Sequence, residues 1–323
     1  MKLSKMLKRM LTVGLAVAMA VGAAGCGTGS DKSENFLNIA TGGTAGTYYP
    51  IGGAIAEIVN KDVKNVNASA QSTGASVANI NMLADGQVEM AIVQNDITYY
   101  AVNGTNMFDG KKIENIRGIA SLYPETCQFV TLVDSGITSI ADLKGKRVAV
   151  GAAGSGVEAN VQQILKAYGI TYDDIEEQFL SFAEGANALK DGTVDVACVT
   201  AGYPTASIQD VASQKKIRLL PLDEDKITAL TIDYPFYTRT VIPAGVYQGF
   251  DGEVQSVSVM AILVATDKMD DKTGYDVTKA IFAGKDKIVA AHAAAKSIEK
   301  KSALAGMGFI KMNEGAEKFL KEQ

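Results

Sequence analysis

Histidine occurs once in the 323 residues, as His292, and tryptophan does not occur. A single histidine rules out the paired imidazoles of most zinc sites and leaves few options for a His-based catalytic triad. His292 lies in an alanine-rich stretch expected to be helical and away from the loops, a packed or surface residue rather than a base. No G-x-S-x-G elbow is present, and Ser155, flanked by glycines, has no visible partner base. Cysteine is scarce too: Cys26, Cys127 and Cys198 have neither metal-ligand spacing nor the density of a disulfide framework. Cys127 and Cys198 each sit in an apolar strand-like run; a bridge between them stays open, with two small buried hydrophobes the simpler reading. The acidic run Asp223-Glu224-Asp225 is a solvated face rather than a spaced ligand set. No catalytic residue, metal site or cofactor is therefore expected, and the chain does not read as an enzyme.

Other shortages narrow the partners. Six prolines against 32 glycines leave no low-complexity linker. Beyond the N-terminus no run approaches the roughly 18 apolar residues of a membrane span; the longest, Val257 to Ala265, is strand-sized. The net charge of −5 becomes more negative once Lys2, Lys5, Lys8 and Arg9 are discounted, so no nucleic acid is expected as a partner. Arginine is thin: Arg117, Arg147, Arg218 and Arg239 remain, of which Arg117 and Arg239 are candidate carboxylate clamps.

What is present begins with a processing signal. The four N-terminal positives precede an Ala/Val/Leu/Met/Gly run from Met10 to Ala24, the pattern of a secretory signal peptide over residues 1–25. The run ends in Ala23-Ala24-Gly25-Cys26, which resembles the bacterial lipobox. That resemblance implies a lipidated Cys26; the polar residues that follow read as a flexible tether over residues 26–35, and an extracytoplasmic monomer held to the membrane by its lipid alone is expected. A soluble secreted protein cut nearby is the alternative.

The rest of the chain repeats itself. Leu83-Ala84-Asp85-Gly86-Gln87-Val88-Glu89-Met90-Ala91-Ile92-Val93 is echoed by Leu189-Lys190-Asp191-Gly192-Thr193-Val194-Asp195-Val196-Ala197-Cys198-Val199. Each reads as a helix end, an Asp-Gly turn and a strand with an acid at its start. Upstream of each lies a strand, a glycine loop and a helix with an apolar stripe: Ile51, Ile55, Ile58, Val59 in the first, Val157, Val161, Ile164, Leu165 in the second. Ser76 is expected to cap a further helix, and Thr273-x-x-Asp276 resembles a capping box. Alternating strands and helices predict mostly parallel sheets. Because the tail has no glycine loop of its own, it is expected to return to the first unit, giving lobe I over 36–123 and 256–323 and lobe II over 124–255.

Glycine loops at the carboxyl ends of parallel strands place free backbone N–H groups and helix dipoles at a common cleft, favouring negative charge. The candidate ligand contacts are Thr44, Thr47, Tyr48, Thr73, Ser76 and Asn95 from lobe I, with Gly154, Ser155, Gly156 and Tyr203 from lobe II; Ser181 occupies an analogous later position. A dinucleotide fingerprint is ruled against because Thr41 stands at its first glycine.

The loops Thr41 to Gly53, Ser72 to Ser76, Val150 to Glu158 and Gly202-Tyr203-Pro204 resemble those of the TAXI family, solute receptors of TRAP transporters. The resemblance implies a type II periplasmic-binding-protein fold, two α/β lobes joined by a hinge with the ligand cleft between them. It also implies delivery of a small carboxylate, of the glutamate, glutamine or 2-oxoglutarate kind, to a TRAP membrane permease. Ala45 and Val157 depart from residues frequent in that family. The alternatives are an ABC-type receptor for a nitrate- or sulfonate-like anion and a non-transport antigenic lipoprotein.

Overall fold

The computed structural model describes residues 35–322. The expected signal peptide, Cys26 and residues 26–34 of the tether lie outside the described residues.

The first strand, β1 (Asn35–Ala40), runs through the Thr41–Thr47 loop into α1 (Tyr48–Asp62). Ile51, Ile55, Ile58 and Val59 are all buried, so the sequence stripe is the face that packs on the sheet. Next come β2 (Val66–Gln71), α2 (Ser76–Ala84), β3 (Met90–Gln94) and α3 (Asn95–Asn103), with β1 parallel to both β2 and β3. A long strand, β4 (Ile116–Leu132), leads to the second unit. That unit comprises β5 (Arg147–Ala149), α4 (Gly156–Ala167), β6 (Glu176–Gln178), α5 (Phe182–Lys190) and β7 (Val196–Ala201), with β5 parallel to β6 and β7. The elements α6 (Ala206–Gln214), β8 (Ile217–Leu219), α7 (Glu224–Asp233) and β9 (Thr238–Ile242) follow. A second long strand, β10 (Val254–Thr266), then carries the chain back to α8 (Asp271–Ala283), α9 (Lys285–Ala291) and α10 (Glu314–Lys321).

The strands form one sheet in the order β2-β1-β3-β10-β4-β7-β5-β6, with β8 also on β4 and β9 also on β10. It is mixed rather than mostly parallel. The two units are internally parallel, but β4 and β10 connect them and pair antiparallel with their neighbours. β4 pairs β10 over Ile116–Thr126 and β7 over Thr126–Thr131, so one strand belongs to both halves of the sheet. The β4–β10 ladder slips register at Ala261/Ile262 and again at Leu263/Val264.

Burial on both faces explains the near-continuous apolar runs. Along β10, Leu263 and Ala265 join Ile39, Ile55, Val59, Val277 and Ile281 on one face, while Ile262 and Val264 join Ile80, Leu83, Val93 and Ile97 on the other. The second unit repeats this with Val196 and Cys198 against Ala197 and Val199 of β7. Each such fully buried aliphatic side chain contributes roughly 1.5–3 kcal/mol. Cys127 and Cys198 are both free and buried.

The echoed segments have matching structures. Gly86 and Gly192 adopt φ of +70° and +71°, closing each helix with N–H groups donated back to Leu83 and Leu189. The acids that start the two strands act alike. Glu89 accepts the Asn38 N–H at 2.8 Å, and Asp195 accepts that of Arg147 at 2.9 Å. Each carboxylate thus holds the neighbouring strand.

Two caps differ from expectation. α2 is preceded by Ala75, at φ 72° and ψ −150°, and Ser76 is its first helical residue. The Ser76 hydroxyl instead accepts the Gln94 N–H at 3.1 Å, tying the helix start to the end of β3. At α8 the cap is Asp270, which accepts the Thr273 N–H at 3.0 Å, three residues before the expected box.

Candidate functional site

Four helices begin at one place. α1 follows β1, α2 follows β2, α4 follows β5 and α5 follows β6, and residues from all four starts line a single cavity of about 70 Å³. The convergence follows from the topology, since in each unit the loops leave the carboxyl ends of parallel strands. The space suits roughly five to seven water-sized groups.

The walls come from both halves of the sheet. Gly42, Gly43, Gly46, Thr47, Tyr48, Thr73, Gly74, Ala75 and Ser76 meet Ala152, Ser155, Gly156, Val157, Ser181 and Phe182, with Gln94, Thr200 and Ala201 supplied by the ends of β3 and β7. The halves touch: Thr47 Oγ1 donates to the Gly202 carbonyl at 3.1 Å, Ser207 N–H donates to the Ala45 carbonyl at 3.2 Å, and Gln94 Nε2 donates to Asn160 Oδ1 at 2.7 Å. These contacts join the two halves beside the cavity.

Its electrostatics come from the backbone. No lysine, arginine or histidine is among the lining residues. α1 and α2 have no side-chain cap, which leaves first-turn amides for an occupant or water. Ser155 caps α4 by accepting the Glu158 N–H at 3.2 Å, and its own hydrogen stays available to donate. Ser181 and Glu184 form a closed capping box on α5.

One acid faces these helix starts. Glu125, near the middle of β4, is only 2% exposed and accepts the Tyr48 hydroxyl at 3.0 Å. Burial pushes its carboxyl well above the usual carboxylate range, and the Asp96 charge adds to this. Burial and the Glu125 charge likewise push the Tyr48 and Tyr123 phenols up. Behind the cavity, Asn160 Nδ2 donates to Asp96 Oδ2 and to the Tyr237 hydroxyl, both at 2.9 Å. Burial lifts Asp96 to about 6, and Oδ1 of Asp96 and Oε1 of Gln94 have no hydrogen-bond partner.

Of the residues singled out in the sequence, Thr47, Tyr48, Thr73, Ser76, Ser155 and Gly156 line the cavity, and Thr44, Asn95, Gly154 and Tyr203 do not. Thr44 is exposed and Gly154 sits in the turn at φ +71°. Asn95 is buried but occupied, accepting the Met260 N–H at 3.0 Å and donating to the Gly306 carbonyl at 3.3 Å. Tyr203 precedes a cis proline and packs against the core around Ala201 and Ile208. The structure adds Glu125, Gln94, Phe182 and Thr200 to the lining. Of these only Gln94 and Thr200 carry a signal in the sequence, as polar residues ending the echoed strands.

His292 is not remote. It ends α9 with Nε2 3.4 Å from Thr47 Oγ1, while Nδ1 accepts the Ala294 N–H at 3.1 Å. Burial lowers its pKa. The arginines are engaged elsewhere: Arg117 donates to the Glu114 and Ile116 carbonyls, Arg147 pairs Asp195, and Arg239 pairs Glu224. Among the described residues no group of three or more His, Cys, Asp or Glu is placed to hold a metal ion, and no helix is long and apolar enough to cross a membrane.

Solved structures share this architecture. The periplasmic aliphatic sulphonate binding protein SsuA from Escherichia coli is 16% identical, over 88% of this chain and 82% of that one, with a TM-score of 0.50. PhnD1 from Prochlorococcus marinus, solved in complex with methylphosphonate, is 10% identical over 81% and 91%, with a TM-score of 0.55. A putative L-cystine ABC transporter protein from Listeria monocytogenes is 14% identical over 81% and 97%, at 0.50. At these identities the likeness shows the fold alone: this is an α/β periplasmic-binding-protein fold built on a mixed sheet.

These comparisons correct the expectation of a TAXI receptor, its TRAP permease and its glutamate-like carboxylates. The physical reason lies in the motifs. Glycine loops opening helices at strand ends are what this fold requires of any family that binds a solute there, so they mark the architecture more than the lineage. A sequence profile matches nearly all of the described chain, residues 39–323, and by that match the chain belongs to the NMT1-like family.

Proposed function

We propose that the chain is the solute-binding protein of an ABC-type importer, taking a small oxoanion of the sulfonate, phosphonate or nitrate kind. One observation carries the reading: four helix starts converge on one cavity without a cationic side chain, an arrangement that favours negative charge through backbone amides. The size of the cavity supports a solute of a few non-hydrogen atoms. SsuA is by name an aliphatic sulphonate binding protein, and PhnD1 holds methylphosphonate on the same fold, which supports the same class here.

In this reading residues 36–123 with 256–323 and residues 124–255 act as two lobes that close on the solute. Closure requires contacts from both lobes, because only differential binding shifts such an equilibrium. The protein binds and hands over its solute without turning it over. Its location is extracytoplasmic, with Cys26 as the lipid-bearing residue, and its partner is an ABC permease.

Isothermal titration of the purified chain with nitrate, methanesulfonate, ethanesulfonate, methylphosphonate and their amino-substituted analogues tests the proposal. Saturable binding of at least one, competing with the others, is the expected result. Absence of heat for every member overturns it.

A further inference from the structure

The cavity combines two features that a receptor for a bare anion does not need together. Its walls include four helix starts, which favour negative charge. Facing them is the carboxyl of Glu125, the single acidic side chain among the lining residues. The carboxyl is fixed rather than mobile: Tyr48 donates to Oε2 at 3.0 Å, and the side chain is 2% exposed. Oε1 has no hydrogen-bond partner among the described residues, so one carboxyl oxygen is left for the occupant. An oxoanion alone would leave this carboxyl without a cationic partner, since none is among the lining residues. A solute with an ammonium at its other end would match both poles, and a seven-atom aminoalkyl oxoanion fits the volume.

We propose that Glu125 is the specificity-determining residue of the cavity and selects zwitterions, solutes in which a sulfonate or phosphonate is joined by a short carbon chain to a primary ammonium. This rests on the oxoanion reading above and narrows it. The oxoanion takes the amides and hydroxyls at the starts of α1, α2 and α4, and the ammonium donates to Oε1 of Glu125.

The proposal has a protonic signature. The titratable groups facing Glu125 are Tyr48 from α1, Tyr123 and Cys127 on β4 itself, and Asp96 at the start of α3; none is cationic, and burial raises the Glu125 carboxyl above the usual carboxylate range in the empty cavity. An ammonium favours the ionised form, so a zwitterion lowers the pKa of this carboxyl as it binds, and its affinity rises with pH. A simple anion accepts a hydrogen bond from the protonated carboxyl, and its affinity falls with pH. The two solute classes therefore respond to pH with opposite signs.

The experiment is isothermal titration of the full chain with two pairs, 2-aminoethanesulfonate against ethanesulfonate and 2-aminoethylphosphonate against ethylphosphonate. It is run at pH 6 and pH 8 in buffers of differing ionisation enthalpy, on the native protein and on Glu125→Gln. The expected result is that the amino member of at least one pair binds at least about tenfold more tightly and with an affinity that rises with pH, and that Glu125→Gln removes both this preference and its pH dependence. If the plain anion binds equally or better in the native protein, or if Glu125→Gln leaves the preference unchanged, selection by Glu125 is overturned while the oxoanion reading stands. If none of the four binds and nitrate, methanesulfonate and methylphosphonate also fail, the oxoanion reading falls and takes this inference with it. Should Glu125→Gln not fold, the preference of the native protein and its pH dependence decide alone.

Discussion

A Cβ added to Gly156 would stand 1.3 Å from Oε1 of Gln94. The first residue of α4 and the last of β3 come from the two separate strand–loop–helix units, and they meet only because this residue has no side chain. The glycine is therefore a requirement of this contact rather than of helix formation. Gly156→Ala is expected to weaken binding of the oxoanion panel at least about tenfold, with the ligand-free melting temperature moving by no more than a few degrees. Titration and thermal melts on the same preparation check it; unchanged affinity would show that the walls need not meet.

Ser155 has two duties, capping α4 and presenting a hydroxyl to the cavity. Ser155→Ala should lower stability by about 1 kcal/mol through the lost cap. Binding should also weaken roughly five- to thirtyfold through the lost donor. Ser155→Thr should recover most of the stability, and a chemical denaturation series with parallel titrations separates the two effects.

Asp96 predicts how stability depends on pH. Its carboxyl titrates near 6 in the folded chain because it is buried, with one oxygen lacking a partner. A raised folded-state value means that the stability is fully present below the ordinary aspartate range and is lost as pH rises through about 6. Asp96→Asn should therefore stabilise the protein at pH 8, by on the order of 2 kcal/mol, with the gain shrinking to nothing near pH 4. Denaturant melts across that window read the difference; a gain that does not vary with pH would contradict the assignment.

Ala75 has φ of 72°, in the region that favours glycine, at the start of α2 and on the cavity wall. Its strain is of the kind that costs about 1–3 kcal/mol. Ala75→Gly should raise stability by about 1 kcal/mol after the added chain entropy is offset, and Ala75→Val should lower it by more. Melting temperatures of the three proteins test this directly.

What the chain reveals on its own is local. The Asp85-Gly86 and Asp191-Gly192 turns, the stripes of α1 and α4, and the glycine loops are set by neighbours in sequence, and all occur where their residues place them. Side-chain direction is not legible: Thr44 and Thr47 share one loop, yet the first is exposed to solvent and the second reaches Gly202. Long-range supply is not legible either. Glu125 lies in a strand that alternation alone marks as core, and only the return of β4 beneath α1 brings it to Tyr48. Nothing in the alanine-rich surroundings of His292 indicates that α9 ends beside Thr47. Family membership is obscured for the opposite reason: the loops are legible, but as the property of a fold shared by many lineages.

The register slips in the β4–β10 ladder lie opposite Ser121–Tyr123 and Gly118–Ala120, two residues or more short of Glu125 on the same strand. Such irregularities bend and twist a strand locally, so the carboxyl proposed to meet the solute lies within a few residues of these kinks on the same strand. On the two-lobe reading proposed above, a solute held by Glu125 would act on the very strand that connects the two halves of the sheet.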